Sequence, residues 1–116
     1  ELAIAFRKAG LDMLNVSICF STPKANIPWG LAFLAPIAEK VRRATGLPVA
    51  SSWGIDVPAT ADRVIAGNQM DLVIIGRAHL ANPHWSYHAA HMLKKEKPSW
   101  VLPAPYAHWL ERYHPH

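Results

Sequence analysis

The sequence contains a single cysteine, Cys19, among 116 residues. An intrachain disulfide is therefore excluded, and a reducing, cytoplasmic location is the simple expectation. The sequence also has no apolar run of about 18 residues, which a membrane-spanning helix needs. No basic segment precedes an apolar core of the kind that marks a signal peptide. We therefore expect neither a membrane partner nor a secretory signal.

Charged residues are also scarce, at 17% of the chain, whereas hydrophobic residues make up 51%. This balance is typical of a folded globular protein and excludes a largely disordered one. The formal net charge of +4 suits an anionic ligand. A charge of this size is too small to predict a nucleic-acid partner. The length supports one domain at most.

Strand-like and helix-like patterns alternate three times along the chain. Apolar runs predict strands at residues 11–18, 48–52 and 71–75, and apolar periodicity with terminal caps predicts the helices that follow them at residues 31–45, 56–66 and 83–94. This is the pattern of parallel βα units, so the predicted fold class is α/β. Three strands that are apolar on both faces cannot close a barrel, so we expect them to belong to a larger fold that covers both faces.

The segment from Asp71 to Pro83 carries the clearest functional pattern. A β-branched apolar run ends at Gly76, where the missing Cβ allows another backbone or a ligand to come close. Arg77 follows directly, and its planar guanidinium suits a phosphate or a carboxylate. Asn82-Pro83 then predicts a helix start. In α/β proteins ligands bind at this end of the strands, although a structural ion pair would also explain the arginine.

Other reactive side chains give weaker patterns. His84, His88 and His91 share one face of the predicted helix and could in principle bind a divalent metal. No glutamate occupies the position that zinc peptidases use, so we predict a solvated face and no metal site. Ser51-Ser52 has no visible His-Asp partners, and we predict no serine nucleophile there. We also predict a structural role for Cys19.

Several short motifs together resemble the Old Yellow Enzyme family of flavin-dependent ene-reductases, and within it the thermophilic-like subgroup. The resemblance covers essentially the whole chain, and its motifs are NIPWG at residues 26–30, SWG at 52–54, DLVIIGRAHL at 71–80, NPHW at 82–85 and PAPYAHWLERY at 103–113. A glycine and arginine after a strand would be weak alone, but these motifs in this order are specific.

The resemblance implies a fold and a cofactor site. The family has a (β/α)8 TIM barrel about three times as long as this chain, and residues 1–116 would be its C-terminal part, with strands six to eight. The FMN phosphate site of the family lies in the loops after strands seven and eight. Carried over to this sequence, Gly54 beside Trp53, together with Gly76 and Arg77, would bind FMN.

The resemblance also implies a substrate pocket shared between subunits. Trp53 and Trp109 would line it, with the C-terminal tail of one copy reaching the active site of its neighbour in a homo-oligomer. Packing in the core is the alternative for both tryptophans. The family's catalytic residues and proton donor lie on earlier strands, so we predict no catalytic residue in this chain and an N-terminal barrel segment as its partner.

The implied function is that of an NAD(P)H-dependent FMN oxidoreductase that reduces activated alkenes such as α,β-unsaturated carbonyl compounds. In this prediction the chain binds the FMN phosphate and shapes the pocket, and it is inactive alone. A non-catalytic phosphate- or nucleotide-binding α/β fragment is the alternative from a different class, and an inert fragment is a third.

Overall fold

The computed structural model describes residues 1–18 and 25–114 of the chain, so the prediction for Cys19 lies outside the described residues. The chain divides into two compact units, Glu1–Gly76 and Arg77–His116. In chain order the elements are α1 (Leu2–Lys8), β1 (Leu14–Val16), α2 (Ala35–Thr45), β2 (Val49–Ser51), α3 (Pro58–Ala66) and β3 (Leu72–Val73) in the first unit, and α4 (Arg77–Ala81), α5 (Trp85–Met92), a 3-10 helix (Pro98–Val101) and α6 (Ala104–Leu110) in the second.

The three strands form one parallel sheet in the order β1-β2-β3. Leu14 pairs with Val49 and Ala50 pairs with Leu72, so β2 is central and has a neighbour on each side. Because α2 connects β1 to β2 and α3 connects β2 to β3, the predicted α/β class with parallel βα units is confirmed. The assignment of these strands to positions six to eight of a barrel stays a prediction, as does the single partial-barrel domain.

Strand β2 lies in the core of the first unit. Val49 and Ala50 are fully buried, and Ser51 is buried too. The Ser51 hydroxyl donates a hydrogen bond of 2.8 Å to the Val16 carbonyl oxygen, so a polar side chain in the interior is satisfied. The side chains buried in this unit also include Leu34, Ala35, Ala38, Ile55, Val64 and Met70.

Strand β3 is shorter and more exposed than the sequence predicts. It spans Leu72–Val73 rather than residues 71–75, and Leu72 and Ile74 are 53% and 40% exposed. We expect a larger fold to cover these side chains, so the coverage of both faces stays a prediction. Strand β3 has a hydrogen-bonded neighbour on one side only, so it is an edge strand of the described sheet.

Helix α2 begins and ends where its sequence requires. Pro36 lies in the first turn, where a helix tolerates a residue without an N–H donor. Gly46 closes the helix in the left-handed region with a φ of 67°, and its N–H donates to the Arg42 carbonyl oxygen. Residues 31–34 form a turn instead of the first turn of the helix predicted at residues 31–45. Leu31 in this turn and Ile37 in the helix are both exposed.

Helix α1 joins the first unit mainly through a polar contact. None of its residues is buried, and the apolar face that includes Leu2 and Phe6 is exposed. The Arg7 guanidinium donates a hydrogen bond to the carbonyl oxygen of Thr45, one of the last acceptors of α2. This bond satisfies a helix-terminal carbonyl that has no partner within its own helix.

Asp71 connects three parts of the first unit. Its carboxylate accepts a hydrogen bond of 2.9 Å from the Val49 backbone N–H, just at the start of β2. The same carboxylate accepts bonds of 2.9 to 3.1 Å from Nε and Nη2 of Arg42 on α2. The Arg42 hydrogen bond, followed by the Val49 hydrogen bond, lowers the pKa of Asp71 below its ordinary value.

The second unit begins with a helix that the sequence does not predict. Residues 77–81 form α4 instead of a linker, and α5 begins at Trp85 instead of Pro83. The Asn82 side-chain oxygen accepts a hydrogen bond of 3.1 Å from the His84 N–H. Asn82 therefore acts as a local turn residue ahead of the helix, because an Asn side chain readily binds the N–H two residues on.

The end of the second unit contains two further short helices. Helix α6 spans Ala104–Leu110, and a 3-10 helix at Pro98–Val101 precedes it. Ser99 and Ala107 are buried, as are Ala89 and Ala90 of α5, so these small side chains form the interior of the unit. None of the helices in the described ranges is long and apolar enough to cross a membrane.

We predict that Asp71→Asn lowers the melting temperature of the chain by a few degrees at neutral pH. The variant keeps an oxygen for Val49 but loses the charge that binds Arg42, and both side chains are about one-third exposed, which moderates the effect. Since folding lowers the Asp71 pKa, its stabilisation is complete above the unfolded value and is lost as the pH falls through the folded value. Thermal unfolding followed by circular dichroism from neutral to acidic pH measures this.

The difference in melting temperature between the unaltered chain and Asp71→Asn should begin to shrink below about pH 4, where Asp71 of the unfolded chain starts to bind its proton. Arg43→Gln is the matched control. It breaks an ion pair with Glu39 on the surface of the same helix, where the Arg43 side chain is 76% exposed, and it should change little. A difference for Asp71→Asn that stays constant down to strongly acidic pH would contradict the role given to the carboxylate.

Candidate functional site

The residues of the first unit that are predicted to bind FMN follow the carboxyl ends of parallel strands. They therefore lie at the same end of the sheet. Strands β2 and β3 run side by side in register, with Ser51 opposite Val73. Trp53 and Gly54 follow β2, and Gly76 follows β3 after two further residues. The Ile74 N–H still donates to the Ser51 carbonyl oxygen at 2.8 Å, so the pairing continues toward this edge. Loops at this edge commonly hold ligands in α/β folds.

Gly54 occupies a position that only glycine fits. Its φ of 64° lies in the left-handed region, and a Cβ added there would come within 2.3 Å of the Gly30 carbonyl oxygen. The Gly54 carbonyl oxygen accepts a hydrogen bond of 2.9 Å from the Ala32 N–H. The turn after β2 therefore packs directly against the backbone of residues 30–32. This close packing is a sufficient reason for glycine at position 54, with or without a bound ligand.

Trp53 also has a left-handed backbone, with a φ of 70°. This conformation is uncommon for a bulky residue and costs on the order of 1 to 3 kcal/mol, and such strain is concentrated at functional sites. The side chain is partly buried, and its ring lies 5.2 Å from the ring of Trp29 between centroids. Trp53 is therefore neither a fully buried core residue nor a freely exposed one, which fits the wall of a pocket.

Gly76 has surroundings opposite to those of Gly54. It is exposed, its φ is outside the left-handed region, and a Cβ added there would meet nothing within 4 Å. The described part of the chain thus gives no steric reason for glycine at this position. The prediction that Gly76 lets a ligand approach its backbone stays a prediction, and the open space around its Cα is compatible with it.

Arg77 and Trp109 lie in the second unit. Arg77 is exposed and begins α4, and its role as a phosphate ligand stays a prediction. Trp109 lies on α6 and is 78% exposed, with its ring edge-on to the neighbouring His108. Core packing within this chain is therefore excluded as the explanation for Trp109. Its predicted place in the pocket of a neighbouring subunit stays a prediction.

The histidines that the structure describes in the second unit lie on α4, on or next to α5, and on or after α6. The parts of the chain that the structure describes contain no group of three or more His, Cys, Asp or Glu side chains able to hold a metal ion. His91 Nε2 lies 3.0 Å from the Tyr87 hydroxyl oxygen, and His79 Nε2 lies 3.3 Å from the Ser86 hydroxyl oxygen. Two of these imidazoles thus have hydrogen-bond partners along the chain.

Sequence patterns did not predict that the loop containing Trp29 contacts the turn after β2. Trp29 and Phe33 form an aromatic cluster with Trp53, and the Trp29 and Phe33 centroids are 5.4 Å apart. The available signal was the placing of Trp29 between Pro28 and Gly30, since large aromatic side chains in such loops often line pockets. The motif identified the loop but could not show which strand end it packs against.

The chain matches none of the protein-family models with which it was compared. It is 34% identical over 84 residues to an NADPH dehydrogenase of Geobacillus thermodenitrificans, a match that covers 72% of this chain and 24% of that protein. An NADPH dehydrogenase of Halalkalibacterium halodurans is 28% identical over 77% of the chain and 26% of the relative. An NADH oxidase of Thermoanaerobacter brockii is 29% identical over 73% of the chain and 14% of the relative.

The chain therefore spans about a quarter of the NADPH dehydrogenases that it matches. These relatives support the resemblance at the level of the Old Yellow Enzyme-like family, at low identity and over a partial region. They do not distinguish one member of that family from another. All three names denote oxidoreductases that act on NADPH or NADH.

Replacement of each glycine of the candidate site by alanine should have a different effect on the free energy of unfolding. We predict that Gly54→Ala lowers the free energy of unfolding by about 2 kcal/mol or more, because alanine disfavours the left-handed region and its Cβ would displace the Gly30 backbone. Gly76→Ala should leave stability unchanged or raise it by up to about 1 kcal/mol, because its surroundings are open. Urea unfolding of both variants measures the contrast, and equal losses would refute it.

Proposed function

We propose that this chain is the C-terminal part of an FMN-dependent NAD(P)H oxidoreductase that reduces activated alkenes such as α,β-unsaturated carbonyl compounds. The observation that carries the proposal is the placing of two glycines after the carboxyl ends of adjacent parallel strands, Gly54 after β2 and Gly76 after β3. Phosphate sites in TIM barrels are built from such loops. The similarity to NADPH dehydrogenases supports the same class of activity.

The residues of this chain suit the phosphate end of FMN. Backbone N–H groups at Gly54 and Gly76, with the Arg77 guanidinium next along the chain, would hold a dianion through charge-assisted hydrogen bonds. The open space at Gly76 fits a group that must approach the backbone closely. Trp53 would pack beside the cofactor and Trp109 would line a substrate pocket, in our proposal that of a neighbouring subunit.

Gly54, Gly76 and Arg77 would hold the phosphate of FMN, and the bound flavin would supply the chemistry of hydride transfer from NAD(P)H to the β-carbon of the alkene. We assign the proton donor to the N-terminal barrel segment and give this chain the tasks of anchoring the phosphate and shaping the pocket. The finer resemblance to xenobiotic reductase A, in the thermophilic-like subgroup, is part of the same proposal. This resemblance depends on the motifs at residues 26–30, 52–54, 76–80, 83–85 and 103–113 taken together.

Arg77 gives the sharpest test of the phosphate site. In the complete enzyme, Arg77→Ala should weaken FMN binding by about tenfold to a hundredfold, because charge-assisted hydrogen bonds contribute about 1.5 to 3 kcal/mol each and about 1.4 kcal/mol is one decade. Arg77→Lys should recover part of the loss, since it keeps the charge but not the planar fork. Flavin fluorescence titration measures both dissociation constants.

Riboflavin lacks the phosphate, so its affinity should hardly change in Arg77→Ala. Arg112→Ala is the matched control, because it removes the same charge at another exposed position of the second unit. Equal losses for FMN and riboflavin would show that Arg77 maintains the fold instead of binding the phosphate. A purified enzyme that binds FMN but reduces no enone would favour the non-catalytic phosphate-binding alternative.

A further inference from the structure

Ser51 is the last paired residue of β2 toward both of its neighbouring strands. It lies opposite Val16 in the pairing with β1 and opposite Val73 in the pairing with β3. Its hydroxyl donates a hydrogen bond of 2.8 Å to the Val16 carbonyl oxygen. Its own carbonyl oxygen accepts a hydrogen bond of 2.8 Å from the Ile74 N–H. Ser51 therefore links the carboxyl ends of all three strands.

The hydroxyl of Ser51 has no task in the phosphate site described so far. The residue is fully buried within the described chain, so its surroundings are already complete there. A buried hydroxyl costs free energy of desolvation, which its hydrogen bond to the Val16 carbonyl oxygen offsets. An apolar side chain would avoid this cost but would not link the two strands. The feature that serine adds at this position is a fixed connection between the ends of β1 and β2.

The turn that follows Ser51 has two consecutive residues with left-handed backbones. The φ angle is 70° at Trp53 and 64° at Gly54. A bulky residue keeps such a conformation only where the surrounding structure holds it. After the turn, Ile55 is buried, and the Gly54 carbonyl oxygen accepts a hydrogen bond from the Ala32 N–H. Before the turn, Ser51 binds both neighbouring strands, so the turn is held at both of its ends.

We propose that Ser51 is a positioning residue for the phosphate of FMN and acts through the backbone N–H of Gly54. The inference rests on the proposed function and adds a residue to its phosphate site. The Ser51 hydroxyl holds the last residue of β2 against β1, and this fixes the direction in which the chain enters the turn. The strength of a hydrogen bond depends steeply on its distance and angle. A small shift at the end of β2 would therefore weaken the contact between Gly54 and the phosphate.

The experiment compares the binding of FMN and of riboflavin to the complete enzyme, because only FMN carries the phosphate. Ser51→Ala removes only the hydroxyl. It should weaken FMN binding by about threefold to tenfold, which is part of the effect of one charge-assisted hydrogen bond. Riboflavin binding should change by less than about twofold, because riboflavin makes no phosphate contact. Ser51→Thr keeps a hydroxyl donor in a side chain that suits a strand, and it should preserve the ratio of the two affinities.

The phosphorus NMR signal of bound FMN gives a second readout that a merely structural role would not change. Its chemical shift reports the hydrogen-bond donors around the phosphate. We expect this signal to move in Ser51→Ala and to return toward its original position in Ser51→Thr. Melting temperatures of all variants are measured beside it, so that a general loss of stability is recognised.

Thr45→Val is the matched control. Thr45 also has a buried hydroxyl, which donates a hydrogen bond of 2.8 Å to the Val41 carbonyl oxygen. It ends α2 and so precedes the amino end of β2, at the opposite end of the strand from Gly54. Its loss should lower the melting temperature but leave both the affinity ratio and the phosphorus signal unchanged.

Three results would overturn the inference while leaving the proposed function intact. They are an FMN affinity that does not change in Ser51→Ala, equal losses for FMN and riboflavin in that variant, and an equal change of the ratio in Thr45→Val. Failure of the unaltered enzyme to bind FMN would instead refute the proposed function, and the inference with it.

Discussion

The pairing of β2 with a parallel neighbour on each side is the constraint on which the first unit depends. Val49, Ala50 and Ser51 are all buried, so any shift of this strand would expose apolar surface and break both ladders. Its amino end is fixed by Asp71, which binds the Val49 N–H and the Arg42 guanidinium. Its carboxyl end leads directly into the turn at Gly54. The position of that turn therefore follows from the core.

The two ends of the sheet have different physical characters. At the amino end, a charged carboxylate satisfies backbone and guanidinium donors, and Asp71 and Arg42 neutralise one another. At the carboxyl end, the backbone has positive φ at Trp53 and Gly54, an indole is exposed at Trp29, and space is open at Gly76. The first arrangement contributes stability, whereas the second leaves surface and backbone available for a ligand. This division is typical of α/β proteins, whose ligands bind outside the carboxyl ends of the strands.

Local signals in the sequence predicted the order of the elements well. The helices predicted at residues 31–45 and 56–66 are confirmed as α2 and α3, which end at Thr45 and Ala66. Gly46 follows α2 and Pro58 begins α3, and the backbone preference of each residue suits its place. Contacts between distant residues were not predictable in this way. The Asp71–Arg42 ion pair joins residues 29 positions apart, and the packing of Gly54 against Gly30 depends on how two loops meet in three dimensions. The residues assigned to the phosphate and to the substrate were predicted from the motif resemblance. The structure shows which parts of the chain surround these residues.

A crystal structure of the complete enzyme with bound FMN would show whether the carboxyl end of this sheet holds the phosphate, as we propose. We expect phosphate oxygens at about 3 Å from the backbone nitrogens of Gly54 and Gly76, with the Arg77 guanidinium donating to the same phosphate. A phosphate bound at another part of the protein, or one at this end of the sheet that contacts neither glycine, would show that the proposed phosphate site is wrong.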